Sequence, residues 1–169
     1  YKARGFMKDY VSLHNHTIFS LLDSTIRPRD LFARAAELGQ SAIALTDHSS
    51  LAGIWDCFKA SKETGVKEIA GVEFNIVDDL SNETDKLRHI ILLARNHEGY
   101  KNLLLANKLA NDNLIISAAK KVIPRIDWKI LQDCSQGLIC TTACGQGILS
   151  KLINTRREDQ AFEQAKRLK

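Results

Sequence analysis

The chain has 169 residues, of which 44% are hydrophobic and 26% are charged, with nine glycines and two prolines. Its formal net charge of +4 is unevenly spread: residues 1–85 carry 9 basic and 13 acidic side chains, and residues 86–169 carry 15 and 7. This composition excludes collagen-like, low-complexity and largely disordered proteins, and no apolar run reaches the roughly 18 residues of a membrane-spanning helix.

The length suits one domain, because domains of about 150 residues are common. Neither an internal repeat nor a Gly/Ser linker divides the sequence, so we predict a single domain over 1–169. The N-terminal stretch YKARGFMKDY has basic residues without the apolar segment that a secretory signal requires. The first residue is Tyr1 rather than Met, and we therefore expect a processed or excised piece.

Strand-like and helical patterns alternate along the chain. In chain order they predict a strand at 10–13, a helix at 28–38, a strand at 42–46, a helix at 51–64, a strand at 68–72 with a continuation over 74–77, a polar loop at 78–86, a strand at 90–94, a helix at 98–111, a short helix at 127–132, a strand at 138–141, and helices at 147–153 and 157–169. Residues 112–124 have no clear pattern. The alternation predicts an α/β fold with parallel strands and right-handed crossovers.

Five strands are too few for a closed eight-stranded barrel, which takes about 250 residues. The sheet is then either open or part of a barrel. In both arrangements the loops after the carboxyl ends of parallel strands meet at one face, where sites form.

The four cysteines contain no Cys-x-x-Cys pair, which favours a reducing, cytoplasmic location over a disulfide framework. Cys57, Cys134 and Cys140 stand in or near apolar runs and are predicted to be core or incidental thiols. A functional cysteine in such a chain is a metal ligand or a nucleophile rather than half of a bridge.

Metal-ligating side chains follow several predicted strands. His14 and His16 stand two residues apart, so in an extended chain both imidazoles face one side and can reach one cation. The other candidates are Asp23, His48, Glu73 and Cys144. His89 is an exception because it precedes its predicted strand, and it would need an irregular crossing or a strand that begins earlier.

Each candidate has a plainer interpretation. Asp23 is also a reasonable turn residue, Glu73 could pair with a nearby lysine, and Cys144 alone would be a core thiol. Asp47 is either a helix N-cap or a residue that orients an imidazole, and we favour the latter. His97, in the first turn of a predicted helix, is interpreted as a surface residue. The metal site is favoured because side chains able to bind a metal recur after successive predicted strands.

Imidazole and thiolate ligands favour zinc or a similar borderline metal over Mg²⁺. A carboxylate such as that of Glu73 can bridge two cations. Paired metals stabilise the attacking and leaving oxygens of a phosphoryl displacement and acidify a bound water. The residues therefore indicate metal-assisted phosphoester hydrolysis.

Several segments closely resemble one known family. They are LHNHTIFSLLD, ALTDHSSLAGI, IAGVEFN, HIILLARNHEGYKNLL, PRIDW and QGLICTTAC, which together span nearly the whole chain. They resemble the PHP (polymerase and histidinol phosphatase) domain, most closely the form at the N-terminus of the bacterial DNA polymerase III alpha subunit. The ARNHEGYKNLL stretch is the most specific of them.

The resemblance implies a distorted (β/α)₇ barrel with up to three clustered Zn²⁺ or Mn²⁺ ions. It implies a first metal held by His14, His16 and Glu73, and a second held by Glu73, His89 and Cys144. A third metal would be held by Asp23 and His48. The family also uses a late Asp-x-His motif to complete the first and third metals.

No Asp-x-His triplet occurs in the 169 residues. The chain is then a fragment, a split gene product completed by a second chain, or a degenerate domain with fewer metals. Because the early ligands are intact, we favour truncation or splitting, with the barrel apparently cut short at its C-terminus. Nothing resembles the clustered aspartates of the polymerase itself.

Three functions follow. The first is a metal-dependent phosphoesterase that acts as a 3′→5′ exonuclease on DNA. The second is a non-catalytic scaffold in a replicase, contacting polymerase segments or a partner chain that completes the barrel. The third, disfavoured by ARNHEGYKNLL, is a small-molecule phosphatase of the histidinol-phosphate type.

DNA is the expected partner of the assembled protein, without base specificity, and no membrane is expected. The basic residues that could meet phosphates are Lys120, Lys121, Arg125, Arg156 and Arg157. A solvated basic face is the alternative.

Overall fold

The computed structural model describes residues 10–169, so most of the N-terminal stretch examined for a secretory signal lies outside the described residues. The strands are β1 (Ala42–Leu45), β2 (Lys67–Ile76), β3 (Arg88–Ala94), β4 (Ile115–Ile116), β5 (Val122–Ile123), β6 (Arg125–Ile126) and β7 (Leu138–Thr141). The helices are α1 (Pro28–Glu37), α2 (Ile54–Thr64), α3 (His97–Asp112), α4 (Trp128–Asp133), α5 (Ile148–Asn154) and α6 (Glu158–Arg167). None of these helices is long and apolar enough to cross a membrane.

A mixed sheet in the order β1-β2-β3-β7 forms the centre of the fold, and β6 adds to the end of β2. β1 and β2 are parallel, whereas β3 is antiparallel to both β2 and β7. The prediction of parallel strands throughout is therefore wrong for β3. Its direction follows from the connection: the loop at 77–87 contains no helix, and parallel neighbours need a crossover, usually helical.

The predicted helices are all present, with ends that differ by a few residues. Two of them have clear sequence signals: α2 ends at Gly65, whose φ of 75° is left-handed, and Asn96 caps α3 by accepting a hydrogen bond from the Gly99 amide. The predicted strand at 10–13 is reduced to a single parallel bridge between Ser12 and Ile43. The unassigned stretch 112–124 contains a small hairpin of β4 and β5.

The helices pack on one face of the sheet. There α3 lies against the middle strands, where Phe74, Leu92 and Leu103 are fully or almost fully buried. On the same face α1 and α2 pack over β1 around Phe32 and Cys57, since the register aligns Leu45 with Ala70. The opposite face carries Glu73 and a smaller apolar cluster of Ala44, Ile91 and Leu93. Cys134 is also buried, which confirms the interpretation of Cys57 and Cys134 as core thiols. Closure of the strands into a barrel stays a prediction.

Candidate metal centre

The predicted ligands meet around one buried carboxylate. Glu73 is 1% exposed, and its Oε2 lies 2.6 Å from Nε2 of His14 and 3.0 Å from Nε2 of His16. The two Nε2 atoms are themselves 3.0 Å apart. The Nδ1 atom of His48 lies 4.0 Å from the same carboxylate oxygen. Three imidazoles therefore face one acidic oxygen.

The other end of this site is formed by the start of β3. The Nδ1 atom of His89 contacts Oε1 of Glu73, and Sγ of Cys144 lies 3.7 Å from that nitrogen. The His89 amide donates to the carbonyl of Gln146, which ties the loop after β7 to β3. Because β3 runs antiparallel to β2, its first residues lie where β2 ends. His89 thus reaches the site from a strand that begins earlier than predicted.

Metal-ligating atoms form three groups, each within 4.8 Å. The groups are His14–His16–Glu73, His16–Asp23–His48 and Glu73–His89–Cys144. These are the groups that the resemblance implied, with His16 joining the group of Asp23 and His48. Their role as ligands stays a prediction. Glu73 lies within β2, three residues before its end, rather than at the end of the strand.

The residue between the two histidines holds them in place, and the sequence reasoning missed it. The amide and carbonyl of Asn15 bond to Thr46, and its side chain donates to the carbonyls of Ser12 and Ala44. These bonds fasten the His14-Asn15-His16 segment along β1. They replace the ladder of a true strand, and they explain why an extended segment forms here with so little pairing.

Asp47 is fully buried, and its carboxylate accepts hydrogen bonds from the Thr17 amide, the Thr17 hydroxyl and the Ser20 hydroxyl, at 2.6 to 2.7 Å. It does not contact an imidazole in the described part of the chain. It reaches His16 through Ser20, whose Oγ lies 3.1 Å from Nδ1 of His16. Thr17 and Ser20 had no distinguishing signal in the sequence.

This network sets the tautomer of His16. A hydroxyl has one proton, and Ser20 gives it to Asp47. Ser20 can therefore only accept from His16, so Nδ1 of His16 carries a hydrogen. In the neutral ring, Nε2 then presents its lone pair toward His14 and Glu73, as metal ligation requires.

The electrostatics favour an ionised carboxylate. Burial alone would raise the pKa of Glu73, but hydrogen bonds to His16 and His89 hold that pKa below its ordinary value. Burial opposes charge on His16 as well, yet the bond to Glu73 and its negative charge raise the pKa of His16. Burial and the neighbouring charge of His16 lower the pKa of His48. The imidazoles of His16 and His89 thus stabilise the buried carboxylate.

The donor atoms of the site suit a divalent cation. Oε1 of Glu73 is buried, and the imidazole of His89 lies against it. Buried oxygens of this kind usually have a donor or an ion. Tetrahedral zinc with bonds of about 2.0–2.1 Å separates its ligand atoms by about 3.3 Å, somewhat more than the 2.6 to 3.0 Å between the His14, His16 and Glu73 atoms. Nitrogen, oxygen and sulfur together suit zinc or a similar metal.

Backbone strain is concentrated beside the same residues. Leu22, Ser49 and Ala143 have positive φ angles of 65°, 45° and 57°, which non-glycine residues rarely adopt. They are the immediate neighbours of Asp23, His48 and Cys144 respectively. Strain of this kind is typical of functional sites, where the surrounding structure holds it.

The basic residues proposed for DNA differ in their availability. Arg125 is 3% exposed and donates to the carbonyls of Leu80 and Asn82, so it cannot meet a phosphate. That part of the prediction is wrong because the guanidinium is already hydrogen-bonded to carbonyl groups of the loop after β2. The remaining four basic residues are exposed: Lys120, Lys121, Arg156 and Arg157.

His97 is exposed at the start of α3, as predicted.

Comparisons with known proteins identify the family of this chain. The family model of the PHP domain matches residues 12–169. DNA polymerase III subunit alpha of Helicobacter pylori strain J99 is 34% identical over 170 residues, which cover 95% of this chain and 14% of that protein. The same subunit of Borreliella burgdorferi is 38% identical over 171 residues, covering 96% of this chain and 14% of that protein.

The chain thus spans a small part of the length of these relatives. Among solved structures, an amidohydrolase from Chromobacterium violaceum overlaps 60% of this chain and 33% of its own chain, at 24% identity and a TM-score of 0.47. The family assignment rests on the sequence matches.

Proposed function

Because the chain belongs to the PHP domain family, we propose that its metal centre hydrolyses the phosphodiester at the 3′ end of a DNA strand. The observation that carries the proposal is the position of Glu73, which belongs to two of the three ligand groups. Its Oε2 faces His14 and His16, and its Oε1 faces His89. A carboxylate that serves two adjacent cation sites is the arrangement that in-line phosphoryl displacement uses.

Two divalent ions, when bound, polarise the phosphate and lower the pKa of a water. The residues of the chain prepare the site for them. Glu73 supplies a buried, ionised carboxylate that neutralises cationic charge. Asp47 and Ser20 keep the Nε2 lone pair of His16 turned inward. The lowered pKa of His48 keeps its imidazole neutral and able to ligate near neutral pH.

DNA as substrate is supported by the relatives, which are named as the alpha subunit of DNA polymerase III. On this proposal the domain works in a replication complex. DNA is its substrate, and the partners are further polymerase segments or a chain that supplies the Asp-x-His ligands. Zinc or manganese is the proposed metal.

The test uses the chain loaded with Zn²⁺ or Mn²⁺ and a single-stranded oligonucleotide labelled at its 5′ end. Hydrolysis predicts a ladder of products shortened from the 3′ end, one nucleotide at a time. His14→Ala should abolish the ladder, while His97→Ala, which changes an exposed histidine outside the cluster, should leave it intact. Absence of metal-dependent product with the wild-type chain, alone or completed by its partner, rejects the proposal.

A structural role for the metal is the second candidate, favoured by the number of segments that Glu73 joins. His14, His48, His89 and Glu73 come from four separate parts of the chain, so ions held in the three ligand groups would cross-link those parts. On this candidate, His14→Ala lowers the melting temperature and removes the zinc dependence of stability, with no hydrolysis in any variant. Turnover of a small phosphomonoester, with none on DNA ends, would instead favour a small-molecule phosphatase.

A further inference from the structure

A cleft of about 500 Å³ opens beside the ligand cluster, and its volume is that of a site for one small ligand. One wall carries His48 and His89. The lining also includes the segment 121–124, which contains β5 of the hairpin, and Lys151 of α5. We propose that this cleft holds the terminal nucleotide of the DNA strand, with Lys121 and Lys151 contacting its phosphates. The inference rests on the proposed function and assigns residues to its substrate.

The charge of the lining favours a phosphate. Lys121 and Lys151 line the cleft, and no carboxylate does so among the described residues. A neighbouring cleft of about 760 Å³, which Lys151 also lines, is different, since it contains four carboxylates beside its four cations. Its charged residues are Asp78, Asp85, Asp159, Glu163, Lys86, Arg88, Lys151 and Arg157. The cleft at the ligand cluster therefore has the excess of positive charge that an anion requires.

Neither lysine is neutralised elsewhere within residues 10–169. Lys121 is exposed, and its ammonium forms no ion pair or hydrogen bond there. Lys151 is half-buried, and Nζ donates to the carbonyl of Leu87 at 2.9 Å, which leaves two of its three hydrogens for a ligand. Backbone and side-chain bonds between Ser117 and Lys121 fix the turn of the hairpin, so Lys121 is held at the cleft by local structure.

The cleft also has an apolar part that suits a base. Leu21 is 81% exposed and Val122 is 54% exposed, and both line it together with Phe19. Exposed apolar side chains beside a polar centre are expected where a ligand covers them. Aromatic and apolar surfaces hold bases by stacking without reading their identity. The cleft has room for one nucleotide, which favours a strand end over the middle of a long strand.

The binding experiment uses the metal-loaded chain and a 5′-labelled oligothymidylate whose last linkage is a phosphorothioate, which slows cleavage. Fluorescence anisotropy gives Kd at several salt concentrations for wild type, Lys121→Ala and Lys151→Met. Lys101→Ala, an exposed lysine on α3, is the control. Each test variant should weaken binding about 3- to 10-fold and reduce the slope of log Kd against log salt by about 0.7.

The outcomes separate the two proposals. If Lys121→Ala and Lys151→Met bind like Lys101→Ala, or if the wild type does not bind, the cleft assignment is overturned even where hydrolysis is observed. If both test variants lose affinity and salt dependence while the wild type releases no nucleotide, the cleft assignment stands and the proposed hydrolysis fails. Because Lys121 is exposed, its substitution keeps the test valid if Lys151→Met does not fold.

Discussion

His14 and Glu73 are 59 positions apart in the chain, yet Nε2 of the first lies 2.6 Å from Oε2 of the second. His14 belongs to the segment fastened along β1, and Glu73 lies within β2. The contact therefore depends on the parallel pairing of β1 and β2, which aligns Leu45 with Ala70 and leads the two strands to one edge. A local change that breaks this alignment would separate the ligands without altering any of them.

Glu73→Gln should remove most of the metal binding. The amide keeps the size of the side chain but loses the charge and places an NH₂ group among imidazole nitrogens. We expect affinity for Zn²⁺ to fall on the order of 100-fold or more, since even residues outside the direct ligands cost 10- to 100-fold. Elemental mass spectrometry and zinc titration measure the change.

Glu68→Gln is the matched control, because it makes the same change on the same strand five residues away. Glu68 belongs to none of the ligand groups. Equal zinc contents of the two variants would contradict the role of Glu73.

Ser20→Ala should weaken the metal site indirectly. It removes the acceptor for Nδ1 of His16 and one of the donors to Asp47, so both tautomers of His16 become populated. We expect a loss of about 10- to 100-fold in zinc affinity and a destabilisation of about 1–3 kcal/mol from the under-satisfied carboxylate. Long-range ¹⁵N–¹H NMR spectra of the imidazoles report the tautomer directly.

Ser50→Ala, in the loop before α2, is the control for this substitution. Its hydroxyl accepts a bond from the Ala52 amide and takes no part in the cluster. The tautomer argument is rejected if His16 keeps the same NMR pattern in Ser20→Ala as in Ser50→Ala.

Gly147→Ala should displace the loop that carries Cys144. A Cβ at this position would lie 1.9 Å from the carbonyl oxygen of Thr142, whereas a Cβ at Gly145 would meet nothing within 4 Å. Overpacking against backbone costs about 1–3 kcal/mol, and relief would move Cys144 away from His89. Zinc should then no longer slow alkylation of Cys144 by iodoacetamide.

Gly145→Ala tests the same loop without the clash, and there zinc should protect Cys144 as in the wild type. Both variants are assayed for alkylation with and without Zn²⁺. Equal protection in Gly147→Ala and Gly145→Ala would mean that Cys144 does not depend on the backbone contact.

The sequence predicts the helices well because their ends carry chemical signals, such as Asn96 and Gly65. It also predicts which side chains gather, although Glu73 lies within β2 rather than at its end and His89 lies at the start of β3. The direction of β3 could not be read from the apolar run at 90–94, because buried strands of either direction have the same composition. The polar loop before it was the usable signal, since it has no room for a crossover helix.

The residues that hold the ligands in place could not be predicted from the sequence, for a different reason. Asn15, Thr17 and Ser20 are small polar residues that also suit any turn, and their function lies in bonds to β1 and to Asp47, two residues after its end. Arg125 was misread because a charged residue is usually exposed. Only the folded structure shows that two carbonyl groups of the loop at 78–86 accept hydrogen bonds from the Arg125 guanidinium.

Glu68 should make stability depend on pH independently of the metal site. Burial raises the pKa of this carboxyl from its ordinary value to about 7, and its Oε1 has no hydrogen-bond partner. The folded chain therefore binds the proton more tightly than the unfolded chain. The stabilisation that this bound proton gives to the folded chain is fully present below the ordinary pKa of 4.5 and is lost as pH rises through about 7. Glu68→Gln should remove this loss of stability at high pH, because the amide does not ionise.

We expect Glu68→Gln to be more stable than the wild type at pH 8, by roughly 1–2 kcal/mol, which is below the full 1.36 kcal/mol per pKa unit because the side chain is half-exposed. At pH 4.5 the difference should be small. Urea unfolding with a chelator present, at both pH values, measures it, and Glu63→Gln on the exposed face of α2 is the control. A difference of the same size at both pH values would mean that folding does not change the pKa of this carboxyl, and that burial does not perturb it.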